Sequence, residues 1–164
     1  MFKLSLVIKL SLVILILTAW CAGSYAQTSG GDHDTIQTVA GALSVTKIQR
    51  VQKDGATFNA TLNGANFDQL YGSHYVYYTD SDGTAKPATR IVLEDFVGGF
   101  SDLPSLTLYD FRKSPPVALP ISDKLDLENV RWTDSSVLLS ADGKLYLFSR
   151  NRLSRLKAPE KAIQ

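Results

Sequence analysis

Four Asx-Gly pairs, each beside a run of alternating apolar and polar residues, constrain the fold of this chain more than any other feature. They are Asp54-Gly55, Asn63-Gly64, Asp82-Gly83 and Asp142-Gly143. Asn, Asp and Gly tolerate the positive φ angles that tight two-residue hairpin turns require. The sequence therefore predicts a series of antiparallel hairpins.

The alternation itself indicates strands with one buried face. Ala56, Phe58, Ala60 and Leu62 alternate with polar residues, which is the two-residue period of a strand. The clearest predicted pairings are 43–52 with 56–62, 74–79 with 88–94, and 136–140 with 144–149.

Helix is expected to be minor, because no window of eleven residues or more has a 3.6-residue apolar period. A short helical turn is possible at 150–156 or near 123–129. The run Leu145 to Phe148 is apolar at every position, so we expect this strand to be central or covered on both faces. The fold class that these patterns predict is all-β: a single antiparallel β-sandwich or small barrel built from hairpins, with little helix.

The first 26 residues resemble an export signal. Lys3 and Lys9 give a basic start, the run 10–17 is apolar apart from Ser11, and Ser24-Tyr25-Ala26 has small residues at the two positions that a signal peptidase reads. We expect cleavage after Ala26, with a retained membrane anchor as the alternative. The expected organisation is a signal peptide over 1–26, a flexible lead-in over 27–34, a β-domain over 35–157 and a disordered tail over 158–164.

Export also limits the chemistry of the domain. Cys21, the one cysteine of the 164 residues, lies in the leader, so the processed protein would have no thiol and no disulfide. Bulky Trp20 precedes it, which argues against lipidation. We expect a periplasmic or secreted protein whose stability comes from apolar packing.

Charge is unevenly distributed along the chain. Residues 27–143 hold 9 basic and 15 acidic side chains, whereas residues 144–164 hold 6 basic side chains and one acidic one. This short basic end is too small for a nucleic-acid surface, so no nucleic-acid partner is expected. Its simplest interpretation is a solvated end, and its functional interpretation is docking to an acidic protein face or an anionic envelope surface.

Few residues are available for catalysis. Ser73 and His74 are adjacent in a predicted strand and should point to opposite faces, as should Glu94 and Asp95. Asp80 and Asp82 fit a hairpin turn better than a calcium loop. We therefore expect no enzyme, no catalytic residue, no metal site and no cofactor.

Three features are more typical of recognition. Tyr75 and Tyr77 share one face of a strand, where they either pack in the core or bind a partner. Phe96 and Phe100 flank Gly98-Gly99 in a loop that either caps the core or plugs a partner's cleft. The third candidate set is basic and consists of Arg150, Arg152 and Arg155.

Together these features predict an exported, non-enzymatic protein that acts by binding another envelope or secreted protein, with an inhibitor or immunity-type protein as the candidate class. The alternative is a small-ligand or glycan-binding β-domain of the cell envelope. Membrane contact is expected only through the leader, if it is uncleaved.

Overall fold

The computed structural model describes residues 27–48, 55–81, 86–98 and 102–157. The predicted leader, the tail over 158–164 and the candidate residue Phe100 lie outside the described residues. Thirteen strands occupy the described part of the chain: β1 Gln27–Ser29, β2 His33–Thr38, β3 Gly41–Lys47, β4 Phe58–Leu62, β5 Ala65–Leu70, β6 Tyr75–Thr79, β7 Arg90–Asp95, β8 Ser105–Asp110, β9 Val117–Ser122, β10 Asn129–Trp132, β11 Val137–Ala141, β12 Lys144–Ser149 and β13 Arg152–Arg155.

These strands form three antiparallel sheets. The N-terminal sheet has the order β2-β3-β4-β5, and the C-terminal sheet has the order β10-β11-β12-β13. The central sheet has the order β1-β6-β7-β8-β9. Each sheet is a four-stranded meander, and β1 adds a fifth strand to the central one. The prediction of an all-β sandwich of hairpins is confirmed, and the described strands close no barrel.

The central sheet is covered on both faces. On β7, Ile91 and Leu93 pack against the N-terminal sheet, and Val92 packs against the C-terminal sheet. All six residues of β7 are consequently buried. The molecule is thus a three-layer stack with two apolar cores, one on each side of the central sheet.

Turn chemistry confirms the predicted hairpins wherever their turns are described. Asn63 and Gly64 have φ angles of 51° and 80°, and Asp142 and Gly143 have φ angles of 51° and 65°. The pairs β3–β4, β6–β7 and β11–β12 correspond to the three predicted pairings.

The predicted helical turn at 150–156 is wrong, because this segment forms the last hairpin. Arg150 and Asn151 adopt φ angles of 51° and 59°, which close a two-residue turn without a glycine. No helix occurs among the described residues, and hence none there is long and apolar enough to cross a membrane.

In place of the flexible lead-in predicted for 27–34, the structure has β1 and the beginning of β2. Main-chain hydrogen bonds join β1 to β6, and Gly30 N donates to Tyr75 O at 2.9 Å. An ion pair of 2.9 Å joins Asp32 to Lys47 on β3. The segment lacks apolar side chains, but strand pairing through the backbone does not require them.

The expectation that 145–148 would be covered on both faces is also wrong. Tyr146 and Phe148 face the core, whereas Leu145 is 51% exposed. The C-terminal sheet is the last layer of the stack, and no sheet formed by the described residues covers its second face.

Candidate functional site

The predicted site residues fall in three separate parts of the molecule. Tyr75 and Tyr77 lie between the central and N-terminal sheets, Phe96 lies in the loop after β7, and the arginines lie on or beside β13. They therefore do not form a single site.

Tyr75 belongs to the core and not to an accessible surface. It is 0% exposed, and its ring meets the Phe58 ring edge-on at a centroid distance of 5.0 Å. Its hydroxyl donates to the Asp34 carboxylate, and burial together with this acceptor raises the tyrosine pKa well above its usual value. Tyr77 is half-buried and stacks on Tyr75 at 6.4 Å. The packing of Tyr75 and Tyr77 therefore supports a role in the core for this aromatic face, and not a role in binding a partner.

A buried carboxylate organises the bend that precedes β6. Asp95 accepts hydrogen bonds of 2.8 Å from the main-chain N–H groups of Tyr71 and Gly72. Burial raises the pKa of Asp95, against the opposing effect of these two donors. A Cβ atom at Gly72 would collide with the Asp95 carboxylate and the Phe96 backbone, so only glycine permits this close approach.

The bend brings together two side chains that we expected to diverge. Ser73 Oγ and His74 Nδ1 are 3.2 Å apart, because both residues precede β6 and strand alternation does not apply to them. The His74 ring lies on the Phe96 ring, with a centroid distance of 4.3 Å and an interplanar angle of 9°. No carboxylate among the described residues hydrogen bonds to His74, so the third group that would orient a catalytic imidazole is not in place there.

Beside this ring stack lies an open cleft of about 380 Å³. Phe96 and Pro104 contribute apolar surface, and Asp102 and Asp126 contribute exposed carboxylates. The lining is completed by Ser73, His74 and Gly98. We call this feature the His74 cleft.

The second candidate is the outer face of the C-terminal sheet. Leu138 and Leu147 are direct cross-strand partners on β11 and β12, and Leu145 is one pleat away from Leu147 on the same face. Leu156 extends this stripe, because its N–H donates to Leu145 O at 2.8 Å. Leu145 and Leu156 are 51% and 37% exposed. These four leucines form what we call the leucine face.

Basic residues border the leucine face on two sides. Arg131, opposite Leu138, lies on β10, and Arg152, opposite Ser149, lies on β13. Neither forms an ion pair with another described residue. Glu128 also lies at this edge, but its carboxylate already accepts hydrogen bonds of 2.9 and 3.0 Å from Ser140 Oγ and Gly143 N. Two arginines without ion-pair partners and one hydrogen-bonded carboxylate therefore border the leucines.

Only one of the three predicted arginines lies on this face. Arg155 pairs with Tyr146 and so belongs to the opposite face of β13. Arg150 occupies the β12–β13 turn and lines a smaller cleft of about 220 Å³ between the sheets. In that cleft Arg112 is already held by Asp110, whose pKa is lowered by the Arg112 hydrogen bond.

The opposite end of the stack has a different character. The outer face of the N-terminal sheet carries small polar side chains, with Thr35, Ser44 and Thr61 in one cross-strand row. Thr35 Oγ1 and Ser44 Oγ are 3.3 Å apart. The two terminal faces of the molecule therefore differ. The N-terminal face is polar, whereas the C-terminal face places four leucines beside serines such as Ser140 and Ser154.

The leucine face was not among the predicted sites, although its signal was present in the sequence. Apolar residues at both the odd and the even positions of 145–148 predicted two covered faces, but Leu145 is half exposed. Leu145 and Leu147 were therefore the signal of an apolar patch on the outer face.

Within the described ranges, no group of three His, Cys, Asp or Glu side chains is arranged to hold a metal ion. No protein family, curated protein or solved structure matches the chain.

Proposed function

We propose that this chain is an exported protein-binding module, and that the leucine face is its binding surface. The observation that carries the proposal is the contrast between the two terminal faces of the stack. Soluble β-sheets that end a stack usually place polar residues outward, as the N-terminal sheet does here. A cluster of leucines on an outer face, two of them exposed, is typical of a surface that another molecule covers.

Charge indicates the kind of partner. Arg131 and Arg152 flank the leucines from opposite edges of the sheet. An apolar centre with a polar, charged rim is the usual organisation of a protein interface. The partner proposed is a protein whose apolar patch has an acidic border, because opposite charges accelerate association and fix orientation. An inhibitor or immunity role is compatible with such a surface, and a glycan or small-ligand role stays the alternative.

A comparison of matched variants tests the proposal. Leu145→Asp places a charge in the leucine face, and Ser44→Asp places the same charge in the middle of the polar N-terminal sheet. Purified wild type and both variants are immobilised and exposed to an envelope extract of the source cell. We expect wild type and Ser44→Asp to retain the same stoichiometric protein, and Leu145→Asp to lose at least about tenfold in affinity for it.

The arginines provide a second matched pair. Arg152→Glu reverses a charge on the leucine face, and Arg155→Glu reverses one on the opposite face of the same strand. The first variant should slow association, and the second should change it little. Unchanged binding by both Leu145→Asp and Arg152→Glu would overturn the proposal. Saturable binding of a sugar at the leucine face, with no protein retained, would favour the alternative.

A further inference from the structure

The His74 cleft has the composition of a site for a long side chain with a charged end. Its apolar surface comes from Phe96 and Pro104, and Pro104 is buried. Its exposed carboxylates come from Asp102 and Asp126. The apolar surface can pack against the aliphatic part of a long side chain, and the carboxylates can bind a positively charged group at its end.

The aromatic stack adds a flat surface to the cleft. Phe96 packs against the core between the central and C-terminal sheets, and His74 lies over it. The outward side of the stack is therefore the His74 ring, which belongs to an exposed residue. Guanidinium groups stack on flat rings of this kind and also bind carboxylates through paired hydrogen bonds.

The electrostatic surroundings favour a cation. No lysine or arginine is among the described residues that line the cleft. Asp102 and Asp126 form no hydrogen bond or ion pair with any other described residue. The described lining of the cleft therefore offers two exposed carboxylates and no ammonium or guanidinium group.

Hydrogen bonds hold one wall of the cleft. Asp95 fixes the 71–72 main chain, and Ser73 N donates to Phe96 O at 3.1 Å. On the other side, the Asp102 side chain lies against Gly98. The held wall reduces the entropy that a ligand must overcome on binding.

We propose that the His74 cleft binds a single arginine side chain of a polypeptide, with the guanidinium group on the His74 ring and beside Asp102 and Asp126, and the aliphatic stem on Phe96 and Pro104. This site is separate from the leucine face and does not depend on it. It gives the module a second contact, selective for an arginine of its partner or of a free peptide.

The test is a titration of the purified, isotopically labelled protein with N-acetyl-arginine methylamide, followed by NMR at the His74 ring. N-acetyl-citrulline methylamide, which has the same shape without the charge, is the matched ligand. Methyl glucoside tests a polyol instead. We expect saturable shifts with arginine at a dissociation constant on the order of 1 mM, weakening as salt is raised. Citrulline should bind at least about fivefold more weakly.

Variants assign the effect to the cleft. Asp102→Asn and Asp126→Asn should each weaken arginine binding by at least about threefold. Asp123→Asn removes an exposed carboxylate outside the cleft and should leave binding unchanged. Equal binding of citrulline and arginine, saturation by methyl glucoside at the same resonances, or no saturation by about 50 mM arginine would each overturn the inference.

Discussion

Glu94 is a carboxyl group enclosed between two sheets. It is 1% exposed, and its oxygens accept hydrogen bonds of 3.0 Å from Leu127 N and from the Tyr78 hydroxyl. Burial raises its pKa from 4.5 to about 7, although both donors oppose this change. The folded protein therefore holds a proton on Glu94 at pH values where the unfolded chain has lost it.

This proton makes stability depend on pH. Because the pKa of Glu94 is higher in the folded state, protonation of Glu94 stabilises the fold. This stabilisation is fully present below pH 4.5 and is lost as the pH rises to about 7. The free energy of unfolding should fall by about 2 to 3 kcal/mol over this range. Urea unfolding of wild type and Glu94→Gln at about pH 5 and about pH 8 measures it.

The variant should remove most of this slope, because glutamine keeps an acceptor for Leu127 N and has no charge to bury. Asp95, whose pKa is raised by burial as well, is present in both proteins and so cancels in the comparison. Equal slopes for the two proteins would contradict this account of Glu94.

The side-chain positions of Ser73, His74 and Tyr75 could not be predicted from the local sequence pattern. In a strand, Ser73 and His74 would point to opposite faces. Strand β6 begins only at Tyr75, however, so these two side chains are free to approach each other. The sequence likewise allowed Tyr75 to be either core or surface. Its burial is decided by the neighbouring N-terminal sheet, which a local pattern does not reveal.

At the level of elements, one arginine held in a buried ion pair joins the central sheet to the C-terminal sheet. Arg90 and Asp80 are 3.1 Å apart, and each side chain is 7% exposed. Arg90 Nη1 also donates to Ser136 O at 3.2 Å, and its guanidinium lies 4.9 Å from the centroid of the Trp132 ring. One arginine therefore connects β7 with the β10–β11 hairpin.

Replacing this arginine should destabilise the fold strongly. Arg90→Met leaves a buried carboxylate at Asp80 without its cation, and the expected loss is about 3 kcal/mol or more. Combining Arg90→Met with Asp80→Asn should recover part of the loss, since the stranded charge is gone. Urea unfolding followed by Trp132 fluorescence measures the wild type and both variants. A double variant less stable than Arg90→Met would show that the ion pair is not the cause.

Hairpins were the elements that the sequence predicted best, because an Asx-Gly turn is a local property of two residues. Asn63-Gly64 and Asp142-Gly143 behave as the pattern requires. The Arg150-Asn151 turn was missed because arginine rarely adopts a positive φ angle. Strand β1 was missed because it pairs through its main chain, which has no side-chain signature.

For the whole molecule, the order of the layers determines which face is free. Strand patterns predicted a sandwich, but they do not reveal that the central sheet is shared by two cores. In this arrangement only one side of the apolar run 145–148 is covered by the core, and the other side contributes Leu145 and Leu147 to the leucine face. The basic end of the sequence contributes Arg152 to the rim of that face, whereas Arg150 and Arg155 lie elsewhere.

The most direct measurement is photo-crosslinking from the two terminal faces in the source cell. A photo-crosslinking amino acid is placed at Leu145 in one protein and at Thr61, in the middle of the polar N-terminal sheet, in another. We predict one discrete product with a different protein from position 145 and none from position 61. No product from position 145, equal products from both positions, or a product with a second copy of this chain would contradict it.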